Sequence, residues 1–589
     1  MASNDRLIRK TFWGILAINL VSMVSGIASI MIDAVITGQF LGSDAVAAMG
    51  LIQPVTMLCN VIGTLFGPGL GIVCTRYMGM AKPDRVNQVF SLVMTVLAST
   101  AFLIACGLYL LAPSIAQVLG AKTKDPAIVA MIVEYLRGFS LGMPFMGLTM
   151  ALSGLMVLDN DRMRGMVTMI VVLISDVTFD LLNVLVFHGG MHGMALATSF
   201  SHIAGFLVVC THFLKKDRIL HFRLKSLHVG DAVEVVLCGI PNSIASSSTA
   251  IRMLAFNAIL MAIATKAEIS ALSVANSAFS VIVGISISTT ASTSMLCSLF
   301  LGEEDRNAIV SAFRFALKIV ICGISAIMLV YMIFSVPVAG LFLRSDNAGE
   351  LACAARFIFV MALQFLLMSI SFPLSGAYQG IRHMGFNYLL VGLREGILPI
   401  LCALVGGLTF GLNGFLYGIA AAGLLELLCC YLIPAIVNKR LSFRAADLLM
   451  IPETLGAAPE DMLEASVQDM DGVLDTAQRV MQFCKEKGAD ARTAFMASLF
   501  IEETVGNTVR HGFPEGKNGN IDLRVIYSKE KHLIRIRDDG KPFDPVEWYT
   551  RNHPDDPSSG VGIRIVTQLA KDVRYILAMG LNHLVIELP

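Results

Sequence analysis

Between residues 11 and 437 the chain falls into about twelve apolar stretches, each near twenty residues long and each enough to cross a hydrocarbon core of about 30 Å as a helix. Few architectures other than a polytopic helical bundle can absorb such a run, because in lipid every backbone donor and acceptor must be satisfied within the segment. The chain is 55% hydrophobic and 15% charged, and the apolar excess is confined to its first three quarters. The formal net charge is zero, so bulk charge favours neither nucleic acid nor an acidic surface as a partner.

The placement of charge is more informative. Arg6, Arg9 and Lys10 precede the first span; Arg76, Lys82 and Arg85 follow the second, Arg162 and Arg164 the fourth, and Lys215, Lys216, Arg218, Arg223 and Lys225 the sixth. Arg306, Arg382 and the group Lys439, Arg440 and Arg444 continue the series after even-numbered spans. The opposite loops are short and poor in basic residues, with Lys122, Lys124, Lys266 and Arg344 the main exceptions. The bias predicts both termini in the cytoplasm. The first apolar run has no small-residue cleavage site behind a short core, so it reads as a retained helix. Cysteines such as Cys59, Cys74, Cys106 and Cys210 lie inside spans with no Cys-x-x-Cys pair, which indicates apolar packing rather than zinc or a disulfide framework.

The apolar part repeats with a period near 220 residues. Met78-Gly79-Met80-Ala81-Lys82-Pro83-Asp84-Arg85 closes the second span and Leu301-Gly302-Glu303-Glu304-Asp305-Arg306 the eighth. Met191-His192-Gly193-Met194 opens the sixth span and Leu412-Asn413-Gly414-Phe415 the twelfth. Two six-helix lobes of parallel topology follow, an arrangement in which transporters hold substrate near mid-bilayer between lobes that rock. Carboxylates in such a bundle are expensive and therefore candidates for function. Asp33 lies in the first span; Asp176 and Asp180, four apart on the fifth, share a helix face, with Asn183 nearby. Acids that close cannot all ionise easily, which makes them a candidate proton-loading site. Arg252, Arg394, Glu395 and Glu426 are also charged within or near spans, and mutual pairing is the plainer reading for them. Thirty-two methionines and 33 phenylalanines would suit a pliant cavity for bulky cations, although most must face lipid or other helices.

Met31-Ile32-Asp33-Ala34-Val35-Ile36-Thr37-Gly38-Gln39-Phe40-Leu41-Gly42, followed by Ala45-Val46-Ala47-Ala48-Met49-Gly50, resembles the first-span signature of the multidrug and toxic compound extrusion (MATE) family. The Gly79 and Gly302 loops and the fifth-to-sixth-span segment match too, so the resemblance covers about residues 10–440. It implies cation-coupled antiport of an amphiphilic small molecule across a bacterial plasma membrane. Asp33 then matches a first-span acid, and Asp176 and Asp180 a fifth-span pair that is usually Asn and Asp. The aspartate at 176 departs from that pattern and leaves H⁺ and Na⁺ both open as the coupling ion.

Past 446–460, where Ile451-Pro452-Glu453-Thr454 and Ala457-Ala458-Pro459-Glu460-Asp461 break the apolar pattern, the chain reads as soluble. Residues 467–486, 490–511 and 563–571 have helical periodicity; 521–527, 533–537, 573–577 and 583–588 read as strands. Three motifs occur in order: Glu502-Glu503-x-x-x-Asn507, Asp538-Asp539-Gly540-Lys541-Pro542-Phe543-Asp544-Pro545, and Gly560-Val561-Gly562. Glu503 and Asn507 share a helix face and can present a base and an amide oxygen to one Mg²⁺-nucleotide. Asp538 can accept from an adenine amino group, Gly540 lets the backbone approach the base, and Gly560 and Gly562 open a helix whose N-terminus can hold phosphate. The stretch 551–559 would form a lid.

The order resembles the α/β sandwich of histidine-kinase-like (GHKL) ATPases, and within them the anti-sigma-factor serine kinases. That resemblance implies that Asn507 ligates Mg²⁺, that Glu503 is the catalytic base, and that a cytoplasmic regulatory protein is a partner. No upstream dimerisation element with a phosphoacceptor histidine is visible, and no Gly-x-x-x-x-Gly-Lys-Ser/Thr loop that would mark an ATP-driven pump. The expected architecture is an all-α polytopic membrane bundle of two six-helix lobes (1–445; lobes about 10–218 and 230–440), a linker (446–460) and an α/β sandwich ATP-binding domain (461–589). Two functions remain open: an antiporter governed by its tail, and a transporter-shaped sensor that signals through it.

Overall fold

The computed structural model describes residues 4–120, 126–215, 218–223, 229–342, 348–514, 519–551 and 560–589. Lys122, Lys124, Lys216, Lys225, Arg344 and the lid stretch 552–559 lie outside the described residues.

The first lobe comprises α1 (Asn4–Ile36), α2 (Ser43–Gly79), α3 (Pro83–Gly120), α4 (Pro126–Leu155), α5 (Arg162–Leu182) and α6 (Gly190–Cys210). The second comprises α7 (Val229–Ile263), α8 (Lys266–Gly302), α9 (Arg306–Ile319), α10 (Ser325–Ile333), α11 (Ser335–Phe342), α12 (Ala348–Met368), α13 (Ser371–Gly380), α14 (Met384–Gly392) and α15 (Leu398–Asn438). Among the described residues 11 helical runs are long and apolar enough to cross a membrane, and the last, Met384–Asn438, is 55 residues. At about 1.5 Å per residue it is far too long for one crossing. It folds back at Phe410 and Gly411 (φ +60°), and a Cβ on Gly406 would sit 2.0 Å from the Gly414 carbonyl. That run therefore crosses twice, which makes twelve crossings. Prolines 54, 68, 113, 144, 241 and 434 lie inside these helices, where neighbouring helices compensate the lost bonds.

The helices widen to π geometry at Thr37–Leu41, Asn183–Phe187, Val320–Ile324 and Leu393–Ile397. Such widenings are often functional. The second and fourth fall at equivalent places of the two lobes, just after Asp180 and around Arg394 and Glu395.

The lobes meet at the ends of α2 and α8 nearest the C-terminal domain. A Cβ on Gly69 would lie 2.1 Å from the Val235 carbonyl, one on Gly239 1.7 Å from the Leu65 carbonyl, and one on Gly79 2.1 Å from the Leu299 carbonyl. Only glycine permits backbones this close. Ser298 Oγ donates to the Ile72 carbonyl at 2.7 Å, and Arg76 grips Glu234 with both guanidinium nitrogens, one bond at 2.8 Å.

The segment after α15 is buried: α16 (Ala445–Leu448) and Leu449 join the bundle core, and Tyr378 Oη donates to the Leu448 carbonyl at 2.8 Å. Beyond it lies an antiparallel sheet of order β1-β2-β3-β5-β4. Its strands are β1 (Met462–Val467), β2 (Ile521–Tyr527), β3 (His532–Asp538), β4 (Asp572–Ala578) and β5 (Leu581–Glu587). On one face pack α17 (Met470–Glu486), α18 (Ala491–His511) and α20 (Val561–Leu569), with α19 (Pro545–Arg551) beside them. The helix expected from residue 467 begins only at Met470, where Asp469 caps it by accepting from Gly472 N at 2.8 Å. Residues before it form the edge strand β1, whose Met-Leu-Glu-Ala-Ser-Val sequence alternates too weakly to announce a strand and is fixed by its partner Ile521–Ile526.

Both faces of the sheet are covered. Leu523, Val525, Ile534 and Ile536 join the core under the helices, whereas Ile576, Ala578 and Val585 join the core of the membrane bundle.

Candidate functional site

Two constellations stand apart, one inside the first lobe and one in the C-terminal domain. In the lobe, α1 and α5 pack together and bring Asp33, Asp176 and Asp180 to one place. Asp180 is 0% and Asp176 2% exposed. Asp176 accepts from Ser29 Oγ and, at 3.2 Å, from Ser201 Oγ. Asp33 Oδ1 and both Asp180 oxygens are buried with no hydrogen-bond partner among the described residues. Carboxyls gathered this closely away from water disfavour ionising together. Tyr135 of α4 lies buried beside the three acids.

Asn183 does not join them. Its Nδ2 donates to the Gly190 carbonyl at 3.1 Å and its Oδ1 accepts from Gly189 N at 3.1 Å, while Gly193 packs so closely that a Cβ there would lie 1.7 Å from Oδ1. The amide holds the turn through His188 (φ +51°) into α6, and it is this turn that turns Asn183 away from the acids. Ser29, Tyr135 and Ser201 were missed by sequence reasoning. Ser29 stands one turn before Asp33 and was findable by the same spacing that paired Asp176 with Asp180; the others reach the acids only through tertiary packing.

In the second lobe Arg252 and Arg394 pair with Glu395, whereas Glu426 meets a hydroxyl and, among the described residues, no charged partner. Arg252 Nη1 lies 3.1 Å and Arg394 Nε 2.9 Å from Glu395, and Ser371 Oγ donates to Glu426 at 2.7 Å. Arg394 also sits 4.0 Å over the Phe372 ring.

In the C-terminal domain the three motifs converge from α18, the β3 end and the start of α20. Asp538 is 5% exposed; its Oδ1 accepts from Gly540 N at 2.8 Å and from Asn582 Nδ2 at 2.7 Å, and Asn582 is held in turn by Tyr575 Oη at 2.7 Å. Burial pushes the Asp538 carboxyl above its ordinary range, and the bonds from Asn582 and Gly540 moderate the shift without reversing it. Lys541 N donates to the Gly512 carbonyl at 2.7 Å, which ties this loop to the end of α18. Gly560 caps α20 at φ +62°, a left-handed conformation suited to glycine.

The residues fit an adenine nucleotide. Asp538 keeps its second oxygen for an exocyclic amine. Glu503 presses its carboxylate against the first turn of α20, so close that a Cβ on Gly562 would fall 1.7 Å from Oε2. An anion thus already occupies the helix N-terminus where phosphate would bind. Asn507 lies one turn along α18 from Glu503 and could hold Mg²⁺, a cation usually bound by one or two protein oxygens plus substrate phosphates. No group of three His, Cys, Asp or Glu side chains forms a separate metal site among the described residues.

The MatE family profile matches residues 19–182 and 241–394, more than half of the chain and a segment in each lobe. The chain belongs to the MatE family. Its tail, residues 464–587, is a histidine kinase-like ATPase domain. Among relatives of this MatE chain, multidrug export protein MepA of Staphylococcus aureus (strain MSSA476) is 23% identical over 446 residues, 73% of this chain and 93% of that protein. A MATE structure in complex with MaL6 superposes with a TM-score of 0.68 at 18% identity, over 77% of this chain and 100% of that one. The Vibrio cholerae MATE transporter VcmN in its bent form gives 0.63 at 18%, over 72% and 97%. At such identity these structures speak for the fold alone. Asp33, Asp176 and Asp180 thus lie together in the first lobe and Glu503, Asn507, Asp538, Gly540, Gly560 and Gly562 in the C-terminal domain, while Asn183 lies apart from the acids.

Proposed function

We propose that this MatE chain is a proton-coupled antiporter that exports amphiphilic small molecules, organic cations among them, with both termini in the cytoplasm. Its tail binds Mg²⁺-ATP and regulates transport. The observation that carries the coupling reading is the Asp33–Asp180 pair. Two carboxyls crowded beside a third acid, away from water and short of donors, can release and regain one proton as the lobe changes its access to water. Na⁺ is the weaker reading, since it calls for several oxygen ligands at once, and the Ser29 and Ser201 hydroxyls are both turned toward Asp176. Multidrug export by MepA supports the cargo class, and the Lys/Arg bias supports the orientation.

In the tail, Asp538 and Asn582 would orient the adenine, the start of α20 would receive phosphate, and Asn507 would hold Mg²⁺. The bound nucleotide would supply a transferable phosphoryl group, with Glu503 placed to take a proton from an acceptor.

The test is efflux of ethidium from proteoliposomes containing the full chain under an imposed pH gradient, with a Na⁺ gradient as the second arm. Proton-driven efflux is expected, absent in Asp33→Asn and Asp180→Asn. Efflux that persists in both variants, or that follows only the Na⁺ gradient, defeats the proton assignment.

A further inference from the structure

Strand alternation sets three guanidinium groups and an imidazole on the sheet face opposite α17 and α18. They are Arg524 on β2, Arg535 and Arg537 on β3, and His583 on β5. The register places Arg524 directly across from Arg535, and Arg537 across from His583. Like charges directly opposite destabilise a sheet unless something neutralises them. Asp522 of β2, directly across from Arg537, supplies one counter-charge within the sheet, and the turn between α8 and α9 in the second lobe supplies the rest.

Glu303, 3% exposed, pairs with Arg537 and accepts from His583 Nδ1 at 2.8 Å. Asp305 lies 3.2 Å from Arg537 and 3.7 Å from Arg524. Arg524 also donates to the Glu304 carbonyl at 3.0 Å, and Lys531 pairs with the Glu304 carboxylate at 2.6 Å. The Arg537 guanidinium lies 4.9 Å over the Phe300 ring. Burial alone would raise the Glu303 carboxyl; Arg537, His583 and Arg535 outweigh it and hold the group well below the usual carboxylate range, so it is charged.

The same sheet grips the first lobe. Arg535 Nη1 donates to the Gly79 carbonyl at 3.1 Å, Arg162 donates to the Met579 carbonyl in the β4–β5 turn, and Lys10 of α1 pairs with Asp539. Gly79 is the residue whose backbone meets Leu299 of the other lobe. The sheet therefore bridges the seam where α2 and α8 close, and the lobes cannot part there without breaking one set of contacts.

The grip also adjoins the nucleotide site. Arg537 and His583 are chain neighbours of Asp538 and Asn582, which are register partners and are hydrogen-bonded to each other. Successive strand residues point to opposite faces. One pair thus faces the adenine position and the next faces the gate.

We propose that the ATPase sheet is a clamp on the transporter's own gate: it holds the two lobes together at the ends of α2 and α8, and nucleotide contacts at Asp538 and Asn582 reset its grip through Arg537 and His583. The clamp itself needs no nucleotide; its resetting rests on the proposed ATP site.

The experiment uses the full chain in lipid nanodiscs, with spin labels attached through noncanonical residues at Lys82 and Arg314, one on each lobe, and distances read by pulsed electron resonance. Without nucleotide, Glu303→Gln and Arg537→Gln should raise the long-distance population about tenfold or more over wild type, as expected for a broken buried ion pair. Arg537→Lys, which keeps the charge, should restore most of the short distance. Glu304→Gln, at the half-exposed rim, should change little. Mg²⁺-ATP should shift the wild-type distribution and leave Asp538→Asn unmoved. Identical distributions in wild type, Glu303→Gln and Arg537→Gln overturn the clamp. Bound ATP, confirmed by titration, with an unmoved wild-type distribution overturns the resetting. Failure of ATP to bind sinks the nucleotide reading while the clamp arm is decided by the first comparison.

Discussion

A methyl group at Gly239 should open the seam between the lobes. The three atoms nearest the ideal Cβ at this position all belong to Leu65 of the opposite lobe, and the carbonyl oxygen lies 1.7 Å away. An ordinary carbon–oxygen contact is about 3.3 Å, so α2 and α7 must separate by more than an ångström to admit the methyl. Backbone cannot swing aside as a side-chain end can, and overpacking of this kind costs about 1–3 kcal/mol. The clash exists only while the lobes are closed at this end, so the cost falls on one conformation. At about 1.4 kcal/mol per tenfold, the ratio of open to closed molecules should rise about 5- to 150-fold in Gly239→Ala. The same label pair at Lys82 and Arg314 reads this as a new long-distance population. Gly414→Ala is the contrast: its methyl would meet the Gly406 carbonyl at 1.9 Å inside the second lobe's own hairpin, so it should lower thermal stability without moving the lobes. A Gly239→Ala distribution that superposes on wild type would refute the argument that this contact is made only in the closed form.

Asp538→Asn should separate stability from binding. A carboxyl whose folded pKa is raised is destabilising once ionised, with stability lost as pH rises through the folded pKa; the amide removes that penalty, so the melting temperature at neutral pH should hold or rise. ATP affinity should nevertheless fall about tenfold or more, as for a lost charge-assisted bond; unchanged affinity in a nucleotide titration would dismiss the adenine assignment. Gly560→Ala meets both a left-handed φ of +62° and the Trp548 ring 2.0 Å from the added methyl. It should destabilise the ATPase domain by about 1–3 kcal/mol in denaturant titration. Asn183→Ala should lower thermal stability by about 1–3 kcal/mol through the loss of its bonds to the 189–190 turn, yet leave proton-driven efflux in place. Loss of coupling in a well-folded Asn183→Ala protein would return that residue to the ion site.

Much of the two sites was legible because their spacings are local. Asp176 and Asp180 share a face whatever surrounds them, and so do Glu503 and Asn507 on α18. The glycines at 540, 560 and 562 announce themselves because each backbone position tolerates little else. Asn183 misled for the same reason: its spacing places it near Asp180, but a π turn and the close approach of Gly193 rotate its amide into the loop. β1 was hidden because an edge strand with weak alternation is decided by its partner strand.

What the chain's order of residues determined unaided is what local physics enforces. Apolar length dictates crossings, duplication dictates two lobes, and motif chemistry dictates a nucleotide-shaped tail. Only the tertiary structure decided how the parts face one another. Arg524, Arg535, Arg537 and His583 read in sequence as polar residues on alternating strands with no stated partner, and Glu303–Asp305 as an ordinary polar turn. Their meeting joins residues more than two hundred positions apart. No periodicity encodes such a pairing, because it arises from burying opposite charges against each other where two lobes and a sheet happen to close.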